Sequence, residues 1–332
     1  MENKKIVFSA MQPSGKLTLA NYIGTLRYWK GMQKIYQCIY SVADLHAITN
    51  SDNKNNLHNN VLDILAFYLS VGVDPNKSII FVQSNIPEHC QLYWILNCNT
   101  TYGELIRMNQ FKSRIKNSNT KKISAGILNY PILMASDILL YNTNMVLIGS
   151  DQKQHIELTK KIAIRFNFLC KKNILKIPNY WIPTFGSKIM SLANPMEKMS
   201  KSDKKKYGTI FLSDSKDVVF RKIGKSITDS DQSSSIYYDK ENKPGISNLL
   251  EICSILSNIS ISNLEKKFLG YSYKNFKIYI AEIVSSCLCK LQQKYQYYRK
   301  NEKLLLEISK EGTRKARLIS KNTIKFVHKN FF

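Results

Sequence analysis

Up to about residue 150 the chain alternates short apolar runs with helically spaced segments, and few folds accept that alternation. Ile6-Val7-Phe8-Ser9-Ala10, Cys38-Ile39-Tyr40-Ser41-Val42, Ser78-Ile79-Ile80-Phe81-Val82 and Met145-Val146-Leu147-Ile148 read as strands buried on both faces. Between the second and third, Val61, Leu62, Leu65, Ala66 and Leu69 keep the spacing of an amphipathic helix that stops near Gly72. This predicts an α/β fold, a parallel sheet with helices on both faces, and the ligands of such sheets sit at the carboxyl ends of the strands. From about residue 216 the strand signals fade, and Leu249, Leu250, Ile252, Cys253 and Leu256 take up helical spacing, as does the stretch 279–291. The expected organisation is an α/β domain over 1–215 and a helical domain over 216–332. Residues 112–124 are basic and poor in apolar periodicity, which fits a mobile loop or plain solvated surface.

The first strand breaks at Gln12-Pro13-Ser14-Gly15, a turn punctuated by Pro and Gly. Thr18-Leu19-Ala20-Asn21 then leads into a helix with apolar positions Tyr22, Ile23, Leu26 and Trp29. Strand, turn and helix start make an anion site, because free N–H groups and the positive end of the dipole converge there. Neither G-x-G-x-x-G nor G-x-x-x-x-G-K-[ST] occurs, so an ordinary dinucleotide fingerprint and a P-loop are both unsupported. Far downstream, Lys198-Met199-Ser200-Lys201-Ser202 follows an Ala193-Asn194-Pro195 turn. Alone, the pentapeptide fits a solvated basic turn or a cradle for a polyanion that binds, reacts and leaves. A second anion-type turn in the same chain favours the cradle.

Asp137 lies in Pro131-Ile132-Leu133-Met134-Ala135-Ser136-Asp137-Ile138-Leu139-Leu140-Tyr141, a segment apolar on nearly every face, with Pro131 suited to the helix start. A buried carboxylate needs hydrogen-bond partners. It is either a packing group paired with a backbone N–H or an Arg, or an acceptor for a ligand N–H. Gly149-Ser150-Asp151-Gln152 ends a strand and begins a helix, where an acid can cap the helix, accept from ribose hydroxyls, or do both.

A chain of 332 residues with 44% hydrophobic content can bury a large core. Its net charge of +25 favours a polyanionic partner such as RNA. Only 8 of the 49 basic residues are Arg, however, and Lys enrichment runs through the whole chain, so local clusters weigh more than the total. After Glu311 the chain carries Arg314, Lys315, Arg317, Lys321, Lys325 and Lys329 and no acid. The seven cysteines are scattered and unpaired in pattern, as in reduced intracellular proteins. The five histidines lack metal-site spacing, so neither zinc nor another bound metal is expected. The apolar run at the N-terminus is too short for a signal peptide, and no stretch is long enough to span a membrane. The expected location is the cytoplasm.

Taken together, Q-P-S-G-x-x-T-x-x-N at 12–21 and K-M-S-K-S at 198–202 resemble the two nucleotide motifs of class I aminoacyl-tRNA synthetases. Asp44-Leu45-His46-Ala47-Ile48-Thr49, Gly103-Glu104-Leu105, the stretch from Tyr130 to Tyr141, Gly149 to His155 and Gly245-Ile246-Ser247-Asn248-Leu249-Leu250 are similar to the bacterial tryptophanyl-tRNA synthetase family. The resemblance covers roughly residues 5–320. It implies a Rossmann-like doubly wound parallel sheet and a C-terminal helical domain that binds the anticodon, with a last helix that packs back on the catalytic domain. It also implies a homodimer without membrane attachment.

The implied reaction joins L-tryptophan to ATP with Mg2+, giving an adenylate and pyrophosphate, and then transfers tryptophan to the 3′ end of tRNA(Trp). No organic cofactor is involved. Such a phosphoryl transfer needs placement and positive charge more than a nucleophilic side chain. On the matching positions, Asp137 contacts the indole, and Tyr130, Phe8, Met134 and Val146 line its slot. Gln12, Pro13, Ser14, Ala20 and Asn21 hold ATP from the N-terminal side. Gly149, Ser150, Asp151, Ile189, Lys198, Met199, Ser200, Lys201 and Ser202 complete the ATP contacts. Lys198 and Lys201 stabilise charge in the reaction, with Thr18, Asn21, Lys112 and Arg114. Three positions depart from the family pattern: Ala20 replaces a glycine, which predicts a raised KM for ATP, Ser150 replaces a glutamate, and Arg114 stands where relatives carry a lysine, which keeps the charge and changes its geometry. A tyrosyl-tRNA synthetase and a non-catalytic RNA-binding paralogue are the alternatives.

Overall fold

The computed structural model describes residues 4–49, 56–117, 124–183, 185–186, 188–201, 203, 205–228 and 235–332. In chain order the main elements are β1 (Ile6–Met11), β2 (Gln37–Val42), α1 (Leu57–Ser70), β3 (Ser78–Val82), α2 (Glu88–Cys98), α3 (Asn109–Asn117) and α4 (Ala125–Leu139). They continue with β4 (Met145–Leu147), α5 (Lys153–Leu169), β5 (Asn179–Trp181), α6 (Lys216–Gly224), α7 (Pro244–Ser257), α8 (Tyr273–Arg299) and α9 (Glu302–Phe331). The five strands form one sheet in the order β3-β2-β1-β4-β5, and all four pairings are parallel. The chain builds outward from β1 to β3, then crosses to the other side for β4 and β5. The order therefore reverses between β1 and β4, where a doubly wound sheet opens its ligand crevice. Phe8 and Val146 are register partners across that point.

The chain divides into two compact units. One comprises Met1–Gly15, Trp29–Ile182 and Tyr298–Phe332, and the other Lys16–Tyr28 and Pro183–Tyr297. A linear division at residue 215 falls inside the second unit. The reason is local pairing: Leu19 N–H donates to the Ile210 carbonyl and Leu212 N–H to that of Leu17, both at 2.8 Å, which ties 183–215 to the segment after β1. The sheet unit owns the main core, in which Phe8, Ile39, Phe81, Ile132, Ile138, Ile156 and Phe166 pack with Ala316, Ile324 and Val327 of α9.

Two expectations need correction, and one strand was not foreseen. Residues 112–117 are the last part of helix α3 and not loop; the remainder of that segment, 118–123, lies outside the described residues. Helix α4 starts at Ala125, so Pro131 stands inside it and not at its first turn. The apolar surroundings of the helix outweigh the backbone bond that proline forfeits. Strand β5 escaped the sequence reading because three residues, exposed or half-buried, carry no apolar run.

Strand β3 would be an exposed sheet edge, and α9 covers it. The helix comes so close at Gly312 that an added Cβ would lie 1.7 Å from the carbonyl oxygen of Ile80. No rotamer relieves a clash with backbone. Gly312→Ala should therefore destabilise the sheet unit by about 1–3 kcal/mol or more, as overpacked cores do. Thermal denaturation checks this, and an unchanged midpoint would refute the close packing.

Candidate active site

Asp137 sits on α4 below the β1–β4 crevice and is 3% exposed. Three side chains donate to it, each from a different segment. Gln83, at the carboxyl end of β3, donates Nε2–H to both carboxylate oxygens at 2.7 and 2.9 Å. His46 Nε2 lies 2.8 Å from Oδ2, and His89 Nδ1, from the first turn of α2, lies 2.7 Å from Oδ1. Burial alone would push this carboxyl up; the imidazoles of His89 and His46 outweigh that and hold it below the usual carboxylate range. The group is thus an ionised acceptor; Phe8 and Val146 are both buried, and Met134 is half-buried one turn before Asp137 on α4.

Tyr130 forms the other polar cluster. Its hydroxyl donates to Gln110 Oε1 of α3 and lies 2.6 Å from Nε2 of His155 on α5. With the hydroxyl proton given to Gln110, His155 Nε2 must carry the donor hydrogen, which leaves Nδ1 without a partner. Burial pushes the imidazole down to about 4, against the pull of Asp151. Beside it, Gln154 accepts from the Asn109 backbone N–H at 2.9 Å and fixes the start of α3. Lys112 is exposed on that helix; the side chains of Arg114 and Ser150 lie outside the description.

At the end of β1, Ser14 N–H donates to the Gln12 carbonyl, Pro13 is buried, and Gly15 adopts φ +94°, a conformation that favours glycine. Gln12 is exposed, but its amide donates to the backbone carbonyl of His46 at 2.8 Å. Across the switch point Gly149 follows β4, and the Asp151 carboxylate accepts from Gln152 Nε2 at 2.9 Å. Position 152 caps α5 without a side-chain bond.

The second unit holds the remaining candidates. Thr18 and Asn21 form a capping box: Asn21 Oδ1 accepts from Thr18 N–H at 2.9 Å and Oγ1–H at 3.0 Å, and Thr18 Oγ1 accepts from Asn21 N–H at 3.2 Å. Ala20 is half-buried between them. The lysine-rich turn is anchored by its backbone. Met199 is buried and its N–H donates to the Ile189 carbonyl at 2.9 Å, while Lys198 bridges to Met190. Asn248 of α7 clasps Met190 through both of its backbone groups, at 2.9 and 3.0 Å. Thr209 Oγ1 donates to the Ser200 carbonyl at 2.6 Å, and the buried ammonium of Lys222 donates to the Thr209 carbonyl at 2.8 Å. Ser191 donates to Asp203 at 2.5 Å. Lys198, Ser200 and Lys201 are exposed; desolvation lowers Lys201 to about 8, and its contact with bulk water offsets part of that effect. Ser202 lies outside the described residues.

Sequence reading missed Gln83, His89 and Tyr141, which lie 48 or more residues from Asp137 or behind it in the core. A polar residue directly after a buried strand, such as Gln83, was the available signal.

Residues 1–289 match the family of class I tRNA synthetases for W and Y. The chain belongs to that family. Within it, the chain is 52% identical over 329 residues to a Tryptophan--tRNA ligase from Buchnera aphidicola of Schizaphis graminum, covering 98% of both chains. Its structure is similar to tryptophanyl-tRNA synthetase from Mycoplasma pneumoniae, with a TM-score of 0.92, 34% identity and coverage of 99% and 97%. The Campylobacter jejuni tryptophanyl-tRNA synthetase complexed with ADP and tryptophan superposes with a TM-score of 0.81, 31% identity and coverage of 98% and 99%.

Asp137→Asn should lower kcat/KM for tryptophan roughly ten- to a hundred-fold, the worth of one hydrogen bond to a charged group. The KM for ATP should change much less. Steady-state kinetics varying each substrate separate the two, and an unchanged value for tryptophan would remove Asp137 from the pocket.

His155 resists protonation more in the folded than in the unfolded state, since its value falls from 6.5 to about 4. Its contribution to stability is therefore complete above pH 6.5 and is lost as pH falls toward 4. The thermal midpoint should drop across that window in the wild type and drop less in His155→Gln; parallel profiles would contradict the assignment.

Proposed function

We infer that this chain is a tryptophan--tRNA ligase. Tryptophan's carboxylate oxygen attacks the α-phosphorus of ATP, the bond to the β-phosphate oxygen breaks, and pyrophosphate leaves with the electron pair. A terminal ribose hydroxyl of tRNA(Trp) then attacks the adenylate carbonyl, loses its proton and expels AMP. The observation that carries this reading is the ionised, buried Asp137, held by donors that follow β2 and β3 at the carboxyl side of the sheet. An indole N–H donates and cannot accept, so an acceptor-only carboxylate in an apolar slot selects it. Tyr130 and Met134 complete that slot.

In this reading Lys198 and Lys201 neutralise the pyrophosphate as it develops, and Lys112 and Arg114 assist. Gln12, Pro13, Ser14, Thr18, Ala20 and Asn21 hold ATP, which brings Mg2+ with its phosphates. Gly149, Ser150 and Asp151 face the ribose, and Ile189, Met199, Ser200 and Ser202 frame the nucleotide. The capping box of Thr18 and Asn21 supports a preset helix start, with Nδ2 of Asn21 remaining as a donor. Helices within 216–332 read the anticodon. The protein works as a homodimer in the cytoplasm; the exposed Trp94, at 63%, supports a covered face on α2. No described helix is long and apolar enough to cross a membrane.

Amino-acid-dependent pyrophosphate exchange tests the function. Tryptophan alone should support exchange; tyrosine-dependent exchange would reassign the substrate, and none with any amino acid would indicate a non-catalytic paralogue. Lys201→Ala should lower the single-turnover rate of adenylate formation about a hundred-fold while tryptophan binding stays near wild type. Equal losses in both would make Lys201 a simple anion anchor. Sedimentation should give a species of twice the 38.3 kDa chain mass; a fully active monomer would refute the dimer.

A further inference from the structure

Behind Asp137, on the side away from its His46 contact, lies a polar chain sealed in the core. Tyr141 Oη is 2.8 Å from His89 Nε2, and His89 Nδ1 is 2.7 Å from Asp137 Oδ1. Tyr141 and His89 are both 0% exposed. An ionised carboxylate only accepts, hence Nδ1 must carry a hydrogen. Tyr141 has one hydroxyl hydrogen, and among the described residues His89 is the partner of that hydroxyl. The arrangement that satisfies every group has Tyr141 donating to Nε2 and Nδ1–H donating to Asp137.

We propose that Tyr141 and His89 are positioning residues for tryptophan selection: Tyr141 sets the ring tautomer of His89, and His89 then fixes the orientation in which the Asp137 carboxylate meets the indole. The proposal rests on the reading of Asp137 given above. Gln83 meets both carboxylate oxygens, and His46 and His89 add one bond each, so these donors fix the plane in which the carboxylate lies. The relay is itself held at both ends. Ser136, next to Asp137 on α4, donates to the His89 backbone carbonyl at 2.7 Å. The Tyr141 ring stacks on Phe8, with centroids 5.8 Å apart and planes at 13°, so the same tyrosine supports the apolar wall and the polar floor. A donor that orients a ligand-binding group through its tautomer commonly changes affinity by about ten- to a hundred-fold when removed.

Two substitutions at His89 separate positioning from packing. An asparagine amide can replace the Nδ1 donor, and a glutamine amide reaches the Nε2 position. His89→Asn should keep the KM for tryptophan within about three-fold of wild type, whereas His89→Gln should raise it about ten-fold or more, with kcat and the KM for ATP little changed in both. Tyr141→Phe keeps the stacking and should also raise the tryptophan KM about ten-fold. Nitrogen-15 NMR of the wild type should show a protonated Nδ1 and a lone-pair Nε2 on His89, and it needs no variant to fold. The opposite tautomer, equal effects of Asn and Gln at His89, or a silent Tyr141→Phe would each overturn the relay. If Asp137→Asn is itself silent, the pocket reading fails and the relay with it; if Asp137→Asn is impaired and the relay variants are silent, the relay alone fails.

Discussion

One charge in the wrong solvent organises the sheet unit. Asp137 cannot be hydrated where it lies, and an isolated buried carboxylate would cost several kcal/mol or take up a proton. The protein supplies the missing solvation from His46 after β2, Gln83 at the end of β3 and His89 on α2. In meeting that demand the donors also fasten the carboxyl ends of two strands to α4. A protonated acid would present a hydrogen to the pocket and select a different ligand. The donor shell thus decides both the local architecture and the kind of group the crevice accepts.

The second unit meets a different requirement. On the proposed assignment of Lys198 and Lys201 to the ATP phosphates, the lysines stay at the surface to meet and release the ligand while the backbone that carries them is pinned. Met199 is buried, Asn248 holds Met190 at two points, and Thr209 grips the Ser200 carbonyl with Lys222 behind it. The Gly-Ile-Ser-Asn stretch at 245–248 has a physical role in this: Asn248 supports the turn, and a Cβ on Gly245 would lie 2.2 Å from the Ile227 carbonyl oxygen. Rigidity resides in residues that never need to touch the ligand.

The strands were legible because β1 to β4 are apolar and β-branched enough to be read one residue at a time. Edge strand β5 was not, because its pairing with β4 and not its composition makes it a strand. The same holds for α3, whose polar sequence was read partly as loop; Gln154 fixes its first backbone N–H from another helix. Asp137 stood out as a carboxylate in an apolar helix. Its partners did not, since His46, Gln83 and His89 are ordinary residues until folding brings them within hydrogen-bond distance. For a related reason, strand signals in sequence do not reveal that 183–215 pairs with the segment after β1.

The Gln12 amide on the His46 carbonyl has a thermodynamic corollary. His46 joins the Gln12 turn to Asp137 through two hydrogen bonds, one at its backbone carbonyl and one from its ring. A ligand that draws Gln12 away alters how firmly His46 holds Asp137, and a ligand that takes an acceptor position on Asp137 alters what Gln12 gains from His46. Linkage makes that exchange symmetric: whatever factor the first ligand contributes to the second, the second returns to the first. On the proposed assignment of Gln12 to ATP and Asp137 to tryptophan, the two substrates would sense one another before any bond between them forms.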